Sequence, residues 1–481
     1  MKGIPTNWLN MNIKLLSLAA LAATFPAISA RALVDSNATQ ETQDLYTRLQ
    51  TLCSADGVAF GGQYALFQGL FADKTQWYNI DNTDVNSDIR NICGINPSVS
   101  GWDINEDAFY GDTWANQNIE AIKRAYEMGA IITISFHEDN PITGGAYGDT
   151  SDTDLSKVLS GGSAYDDFLE QWETAADFIS KLETDDGTMI PVILRPFHEL
   201  NGSWFWWGTM SDEDDTSKAN FISMWQWLVG YLRDTKGLHN ILYNYNTDKI
   251  TSESEYLARW PGDDYVDIVT CDAYLADTAS TDALTESLDV VSAVATAKSK
   301  PAALADTGPS VGEFYTTISD WWTTKLLTPL ADGGYFTKIA YVAGWANWSG
   351  TAFMPYPGST SSADFAGFLR DDHIFLIDYF DADAVWSYLY ELGESYTYYY
   401  PWVYSDEQGW EYMTEVFNVD DGANWYYDTD LGWLWTQTSF YPYFWSSAED
   451  NWVYYWYTSE GTRWFYSYAN SEVESFSRSG Y

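Results

Sequence analysis

Cations are scarce in this chain. Lys and Arg number 23 against 69 Asp and Glu, which leaves a net charge of −46 over 481 residues. Nucleic acid would be repelled rather than held by counterion release. Anionic membrane surfaces are excluded on the same ground. Cysteine and histidine are scarcer still, at three and four residues. Neither shows metal-site spacing, and the acidic residues form no recognisable calcium loop, so no cofactor or metal is expected. Cys53 and Cys93 are a candidate disulfide in an oxidising compartment, with Cys271 left over, and spacing alone leaves the pairing open. No apolar run is long enough to cross a bilayer. The run over 15–25, behind Lys2 and Lys14, has the length of a signal-peptide core, with cleavage expected after Ala30. The mature chain is therefore expected to be secreted, without a membrane span, and monomeric.

What the chain has in excess is aromatic rings. It carries 25 Trp, 36 Tyr and 23 Phe, 17% of all residues. That argues against disorder, which is poor in aromatics. Rings on an acidic chain suit a neutral, ring-shaped partner such as sugar. The plainer alternative is adaptation to salt with ordinary core aromatics. The excess is uneven: residues 382–481 hold 33 aromatics, 16 acids and 2 bases. Gly-Trp openings recur there at Gly409-Trp410 and Gly432-Trp433. Related clusters fall at 425–427, 452–455 and 464–466. Short runs punctuated by Asp, Asn, Gly and Ser read as β-hairpins, so 390–481 is expected to be a small aromatic-rich β-module. Its rings either bind polysaccharide or form the module's own core.

Upstream, short apolar runs alternate with amphipathic stretches. Candidate strands fall at 58–60, 99–102, 131–136, 191–195, 241–245, 266–271, 302–305 and 338–343. Candidate helices fall at 114–128, 164–182, 218–234 and 282–297. This α/β alternation fits a (β/α)8 TIM barrel over 36–381. A doubly wound open sheet is the alternative, but no Gly-rich phosphate fingerprint follows the first strand.

Polar and aromatic residues crowd the expected strand ends. His137, Glu138 and Asn140 follow the third. His198, Glu199 and the Trp204–Trp207 cluster follow the fourth. Asp272 and Tyr274 follow the sixth, Asp306 the seventh, and Trp345 the eighth. A parallel barrel brings all of them to one rim, where barrel active sites are built. Two carboxylates facing each other among stacking rings is what glycosidic hydrolysis requires: one protonates the leaving oxygen, and the other attacks or activates water.

The run Arg195-Pro-Phe-His-Glu-Leu-Asn-Gly-Ser-Trp-Phe-Trp-Trp-Gly208 resembles the acid/base signature of glycoside hydrolase family 26, whose best-known members are endo-β-1,4-mannanases. The resemblance continues through Pro261–Asp267, Asp272-Ala-Tyr274 and Pro355–Gly358. It covers roughly 36–381 and leaves out the aromatic tail. It implies Glu199 as acid/base catalyst and His198 as the residue that orients the catalytic pair. His137 and Asn140 become substrate-side hydrogen-bonding groups. Trp204, Trp207, Tyr274 and Trp345 line sugar subsites, and Asp272 either binds sugar or buffers the catalytic charges. The implied partner is a polysaccharide, mannan or a related β-glycan such as mixed-linkage glucan or β-1,3-xylan.

Three positions depart from the family pattern. The family's nucleophile is Glu, whereas this chain has Asp306 in Leu304-Ala-Asp-Thr-Gly308. One methylene less withdraws the carboxylate by roughly 1.5 Å. Asp306 then attacks after a backbone adjustment, acts as a base on water with inversion, or leaves the domain binding glycan without cleaving it. Ala346 stands where Arg is frequent, and Gly62 where His is frequent. Plainer roles compete with each assignment. Glu199 could be a buried partner of Arg195, the histidines core residues, Asp272 a cap and Asp306 a loop acid. Trp206 is expected in the core, because alternation turns it away from its neighbours. Glu138 and Glu313 are rival carboxylates without a matching motif.

Overall fold

The computed structural model describes residues 33–80, 86–208, 214–377 and the strands of the C-terminal region. The expected leader peptide lies outside the described residues. Eight strands form the centre: β1 Val58–Gln63, β2 Val99–Asp103, β3 Ile131–Ser135, β4 Val192–Arg195, β5 Ile241–Thr247, β6 Ile268–Leu275, β7 Ala302–Pro309 and β8 Tyr341–Gly344. Each pairs in parallel with the next, and β8 pairs back onto β1 from Ala59↔Tyr341 to Gly62↔Gly344, which closes the barrel. A short strand, Ile374–Phe375, lies parallel to the start of β1.

Helices cover the outside. The longer described ones are α1 Gln40–Leu52 before β1, α2 Asp112–Glu127, α3 Tyr165–Ile179, α4 Asp215–Gly230, α5 Asp282–Lys298 and α6 Ser362–Leu369. The apolar spacing explains their seating. Phe168, Trp172, Ala175, Ala176 and Ile179 fall on one face of α3, and all are buried. The strands are apolar on both faces, as parallel strands under helices must be. Their alternation sorts the core in two. Val58, Ile132, Ile134 and Leu194 pack outward against helices. Ala59, Val99, Ile131, Ile193, Leu242, Ile268 and Ala303 form a second cluster, with one or more residues from every strand, that fills the barrel. Leu45, Leu49 and Leu52 of α1 join that inner cluster, so α1 plugs one end of the barrel. Tight register leaves no room for a side chain at Gly61, where a Cβ would stand 1.8 Å from the Val99 carbonyl oxygen.

The strand ends differ from the sequence reading in one way that matters. β6 and β7 continue past 271 and 305, with a register shift between Cys271 and Asp272. After that shift Asp272 stands directly opposite Asp306. Both acids therefore sit within strands, not in the loops after them. Polar residues at the barrel's upper end were read as loop, yet backbone pairing carries on beneath them. The candidate Cys53–Cys93 bridge does not form. The Cys53 thiol meets the Ala302 carbonyl oxygen and the Cys93 thiol the Ile95 carbonyl oxygen.

The C-terminal region forms a nine-stranded antiparallel sheet in strict chain order. Its strands are β9 Ser395–Tyr399, β10 Trp402–Ser405, β11 Gly409–Met413, β12 Asn424–Asp428, β13 Gly432–Thr436, β14 Tyr443–Ser446, β15 Asn451–Ser459, β16 Thr462–Ser467 and β17 Glu472–Ser477. The aromatic clusters read from the sequence fall on these strands.

Candidate active site

The segment after β4 is bent by its own backbone. Phe197 and Glu199 both have positive φ, 49° and 51°, which is costly for residues with a Cβ. The surroundings hold the turn in place. The Glu199 N–H donates to Asn246 Oδ1 at 3.2 Å, and the Gly202 N–H donates to the Glu199 carbonyl at 2.8 Å. The Trp206 indole donates to the Glu138 carbonyl, and the Trp207 indole to the His198 carbonyl. Arg259 donates to the carbonyls of Trp207 and Gly208. The strained turn projects Glu199 into a cavity while its flanks stay anchored.

Beneath it lies a buried charge cluster. Arg195 ends β4 and is fully buried. One of its nitrogens, Nη2, donates to Asp306 Oδ2 at 2.7 Å and to Asp272 Oδ2 at 3.0 Å. Asn246 donates to the other Asp272 oxygen at 3.0 Å. Burial works against the Arg195 charge, but Asp306 and Asp272 outweigh it and keep the guanidinium protonated. Asp306 Oδ1 is buried and has no hydrogen-bond partner among the described residues.

Glu199 and Asp306 open onto one cavity of about 350 Å³, together with His137, His198, Phe205, Tyr274, Ser310, Trp345 and Phe353. Rings make up most of its wall. The His137 and His198 rings meet edge to face at 4.5 Å, and Trp345 and Phe205 stand 5.8 and 5.4 Å from His137. Trp204 sits at the edge, 45% exposed, and its indole donates to Glu199 Oε2. Asp103, buried at the end of β2, accepts from Ser135 and bonds His137 Nδ1 at 2.7 Å, which fixes the imidazole.

The electrostatics separate the two carboxylates. Burial, with repulsion from Asp272 and Asp248, pushes Glu199 up to about 8, against the pull of the Trp204 indole and His137. Burial pushes Asp306 up only to about 6, because Arg195 holds its anion. Asp272 rises to about 8 through burial, partly countered by Arg195. At neutral pH Glu199 is the acid and Asp306 the anion, the division of roles that paired-carboxylate chemistry uses. His198 is neutral, since burial and then His137 and Arg195 oppose its protonation. Among the described residues no group of three or more His, Cys, Asp or Glu is arranged to hold a metal ion.

Several residues singled out in the sequence meet here and others do not. His137, His198, Glu199, Tyr274, Asp306 and Trp345 line the cavity, and Trp204 borders it. Trp207 does not line it. It is fully buried, and Phe205 stacks on it at 4.5 Å and presents the ring in its place. Trp206 is in the core as expected, but Trp207 beside it is equally buried, so alternation is not the reason. Asn140 is also buried away from the cavity. Its amide donates to the carbonyls of Asp149 and Asp152 and its Oδ1 accepts the Ile142 N–H, so it shapes a loop. Asp272 has no exposure to sugar and serves the charge cluster. The rival acids are structural: Glu138 accepts from the Trp172 indole and Glu313 from Ser361.

The sequence did not single out Phe205, Ser310, Phe353, Asp103 or Asn246, and it offered Arg195 only as a competing partner for Glu199, whereas Arg195 holds Asp306 and Asp272. A signal existed for Arg195, since a lone cation at the end of an apolar strand needs a buried anion. None existed for Phe353, which reaches the cavity from the loop after β8. Met354 of the same loop lies against Gly62. A Cβ at 62 would stand 2.4 Å from the movable Met354 terminal methyl carbon and 2.8 Å from the Gly344 carbonyl oxygen. Ala346 is likewise buried.

Comparison with known proteins agrees with this architecture. The family model described as glycosyl hydrolase family 26 matches residues 34–321. A mannan endo-1,4-β-mannosidase of Bifidobacterium adolescentis is 31% identical over 380 residues, covering 73% of this chain but 36% of that protein's length. One of Bacillus subtilis is 28% identical over 293 residues, covering 58% of this chain and 75% of that one. Among solved structures, a GH26 β-mannanase from Bacteroides ovatus superposes with a TM-score of 0.63 at 30% identity, over 72% of this chain and 97% of its own. The barrel, the signature turn after β4 and these matches agree, and the chain belongs to glycosyl hydrolase family 26.

Proposed function

We propose that the chain is a secreted endo-β-1,4-mannanase that cleaves mannan or galactomannan with retention of anomeric configuration. The observation that carries this reading is the division of charge on one ring-lined cavity: Glu199 held protonated, Asp306 held ionised with Oδ1 unpaired among the described residues. Relatives named as mannan endo-1,4-β-mannosidases support the substrate class. The N-terminal run behind Lys2 and Lys14 supports secretion.

In the first step Asp306 Oδ1 attacks the anomeric carbon. The glycosidic C–O bond breaks as Glu199 gives its proton to the departing oxygen. Arg195 keeps Asp306 anionic until the new bond forms. In the second step Glu199, now a carboxylate, takes a proton from water. The water oxygen bonds to the anomeric carbon and Asp306 leaves. His137, fixed by Asp103, and the neutral Tyr274 are placed to hold sugar hydroxyls. Trp204, Phe205, Trp345 and Phe353 supply stacking surfaces.

The test is reducing-end release from mannan, galactomannan, mixed-linkage β-glucan and β-1,3-xylan. Mannans are expected to be cleaved fastest, with the activity lost in Glu199→Ala. The short Asp306 side chain favours one competing reading, a glycan-binding protein that does not turn over. Binding of mannooligosaccharide without product, even in Asp306→Glu, would establish that reading instead.

A further inference from the structure

Register in the C-terminal sheet lines up its tryptophans. Trp425 of β12 pairs with Trp435 of β13. Trp435 pairs with Trp445 of β14, and Trp445 with Trp452 of β15. Directly paired residues share a face, so four adjacent strands carry one continuous row of Trp. Two residues along, on the same face, Tyr443 pairs with Tyr454.

The two faces of the sheet differ in burial. Leu434, Phe444 and Val453 alternate with the row and are buried. Trp445, Trp452 and Tyr454 are only partly buried, and the Trp445 and Trp452 rings meet edge to face at 5.6 Å. An antiparallel sheet normally gives its solvated face to polar and charged residues. Here the described side chains of one face, Leu434, Phe444 and Val453, are buried, and those of the aromatic row, Trp445, Trp452 and Tyr454, keep partial exposure.

We propose that this aromatic face is a binding platform for an extended, neutral β-linked polysaccharide, made of residues other than those of the catalytic cavity. Chemistry selects the occupant. Neighbouring strands lie about 4.8 Å apart, so successive positions of the row recur at roughly the length of one pyranose ring. Trp and Tyr stack on the apolar faces of sugars while their N–H and O–H groups reach hydroxyls. With 16 acids and 2 bases over 382–481, the region repels anionic polymers, which excludes nucleic acid and acidic glycans and leaves neutral chains.

The experiment is depletion of the full chain from solution by insoluble mannan and by cellulose, at low salt and at about 1 M salt, where surface electrostatics are screened. Hydrolysis of soluble galactomannan is followed in parallel. The unaltered chain is expected to be retained at both salt concentrations. Trp445→Ala/Trp452→Ala is expected to weaken retention about fivefold or more, since two lost stacking contacts of about 0.5–1.5 kcal/mol each reach that factor. Hydrolysis of the soluble substrate should be unchanged. Trp445→Phe/Trp452→Phe keeps a ring at each position and is expected to stay close to the unaltered chain, which separates loss of stacking from loss of fold. The proposal is overturned if the unaltered chain is not retained, if salt abolishes retention, or if the Ala and Phe pairs behave alike. It is also overturned if sedimentation shows that the face is covered by a second copy of the chain, with self-association lost in the Ala pair.

Discussion

Arg195 holds Asp306 by one carboxylate oxygen, Oδ2 at 2.7 Å, and the buried Oδ1 has no hydrogen-bond partner among the described residues. The same nitrogen also holds Asp272, which register sets opposite Asp306 across β6 and β7. One cation thus serves two carboxyl groups, and the one that lines the cavity stays ionised with an unpaired oxygen to use.

Variants of the pair should separate the two roles. Glu199→Gln removes the proton donor and is expected to lower kcat on mannan by about 10²–10⁴-fold, the range for general acid catalysis. Asp306→Asn should abolish turnover. Asp306→Glu advances the carboxylate by roughly one carbon–carbon bond, about 1.5 Å, and should preserve or raise kcat. Steady-state kinetics on one mannooligosaccharide checks all three. A loss in Asp306→Glu as deep as in Asp306→Asn would contradict the assignment.

The pH profile follows from the same cluster. Asp306 must be ionised and Glu199 protonated, so kcat/KM should form a bell with limbs near about 6 and about 8. The buried acids interact, so the limbs belong to the set and not to single residues. The Trp204 indole donates to the Glu199 carboxylate and thereby stabilises its ionised form. Trp204→Phe removes that donor and keeps a ring. Its alkaline limb should move to higher pH.

Trp204 and Trp207 should fail in different ways. Trp204 is 45% exposed at the cavity edge, and Trp204→Ala should raise KM with little change in melting temperature. Trp207 is fully buried beneath Phe205, and Trp207→Ala should cost about 3–5 kcal/mol of stability as a large core truncation. Denaturation and kinetics on the two proteins distinguish platform from core.

Glu138 offers a stability test away from catalysis. It is fully buried, accepts from the Trp172 indole, and burial holds its carboxyl well above the usual range. A raised native pKa means that the folded state binds the proton more tightly. Stability from this group is complete below the unfolded value, about 4.3, and declines as pH rises toward the native value. Glu138→Gln mimics the protonated form. It should match the parent near pH 4 and gain in melting temperature as pH is raised to 8. A constant offset across that range would refute the account.

Much of this site was legible because it follows simple periodicities. Apolar runs separated by helical spacing pointed to eight strands, and a parallel barrel then had to gather Glu199, Asp306 and the histidines on one rim. What escaped the reading lies where periodicity breaks. Positive φ at Phe197 and Glu199 takes this segment out of extended backbone, and Phe205 stacks over Trp207 and faces the cavity in its place. The register shift at Cys271 keeps Asp272 and Asp306 inside strands, where a loop had been expected. The family resemblance implies Asn140 as a sugar ligand, but its amide is spent on a loop. Phe353 and Met354 come from a segment with no motif, and only the folded chain brings them to the site.

The most direct test is the anomeric configuration of the first products. Mannopentaose is hydrolysed by the full chain and followed by proton NMR before mutarotation sets in. The account predicts that the new reducing ends appear as the β-anomer and relax to the mixture, with no product from Glu199→Ala. Initial α-anomer, meaning that Asp306 activates water instead of bonding to sugar, would contradict it, as would the absence of any product.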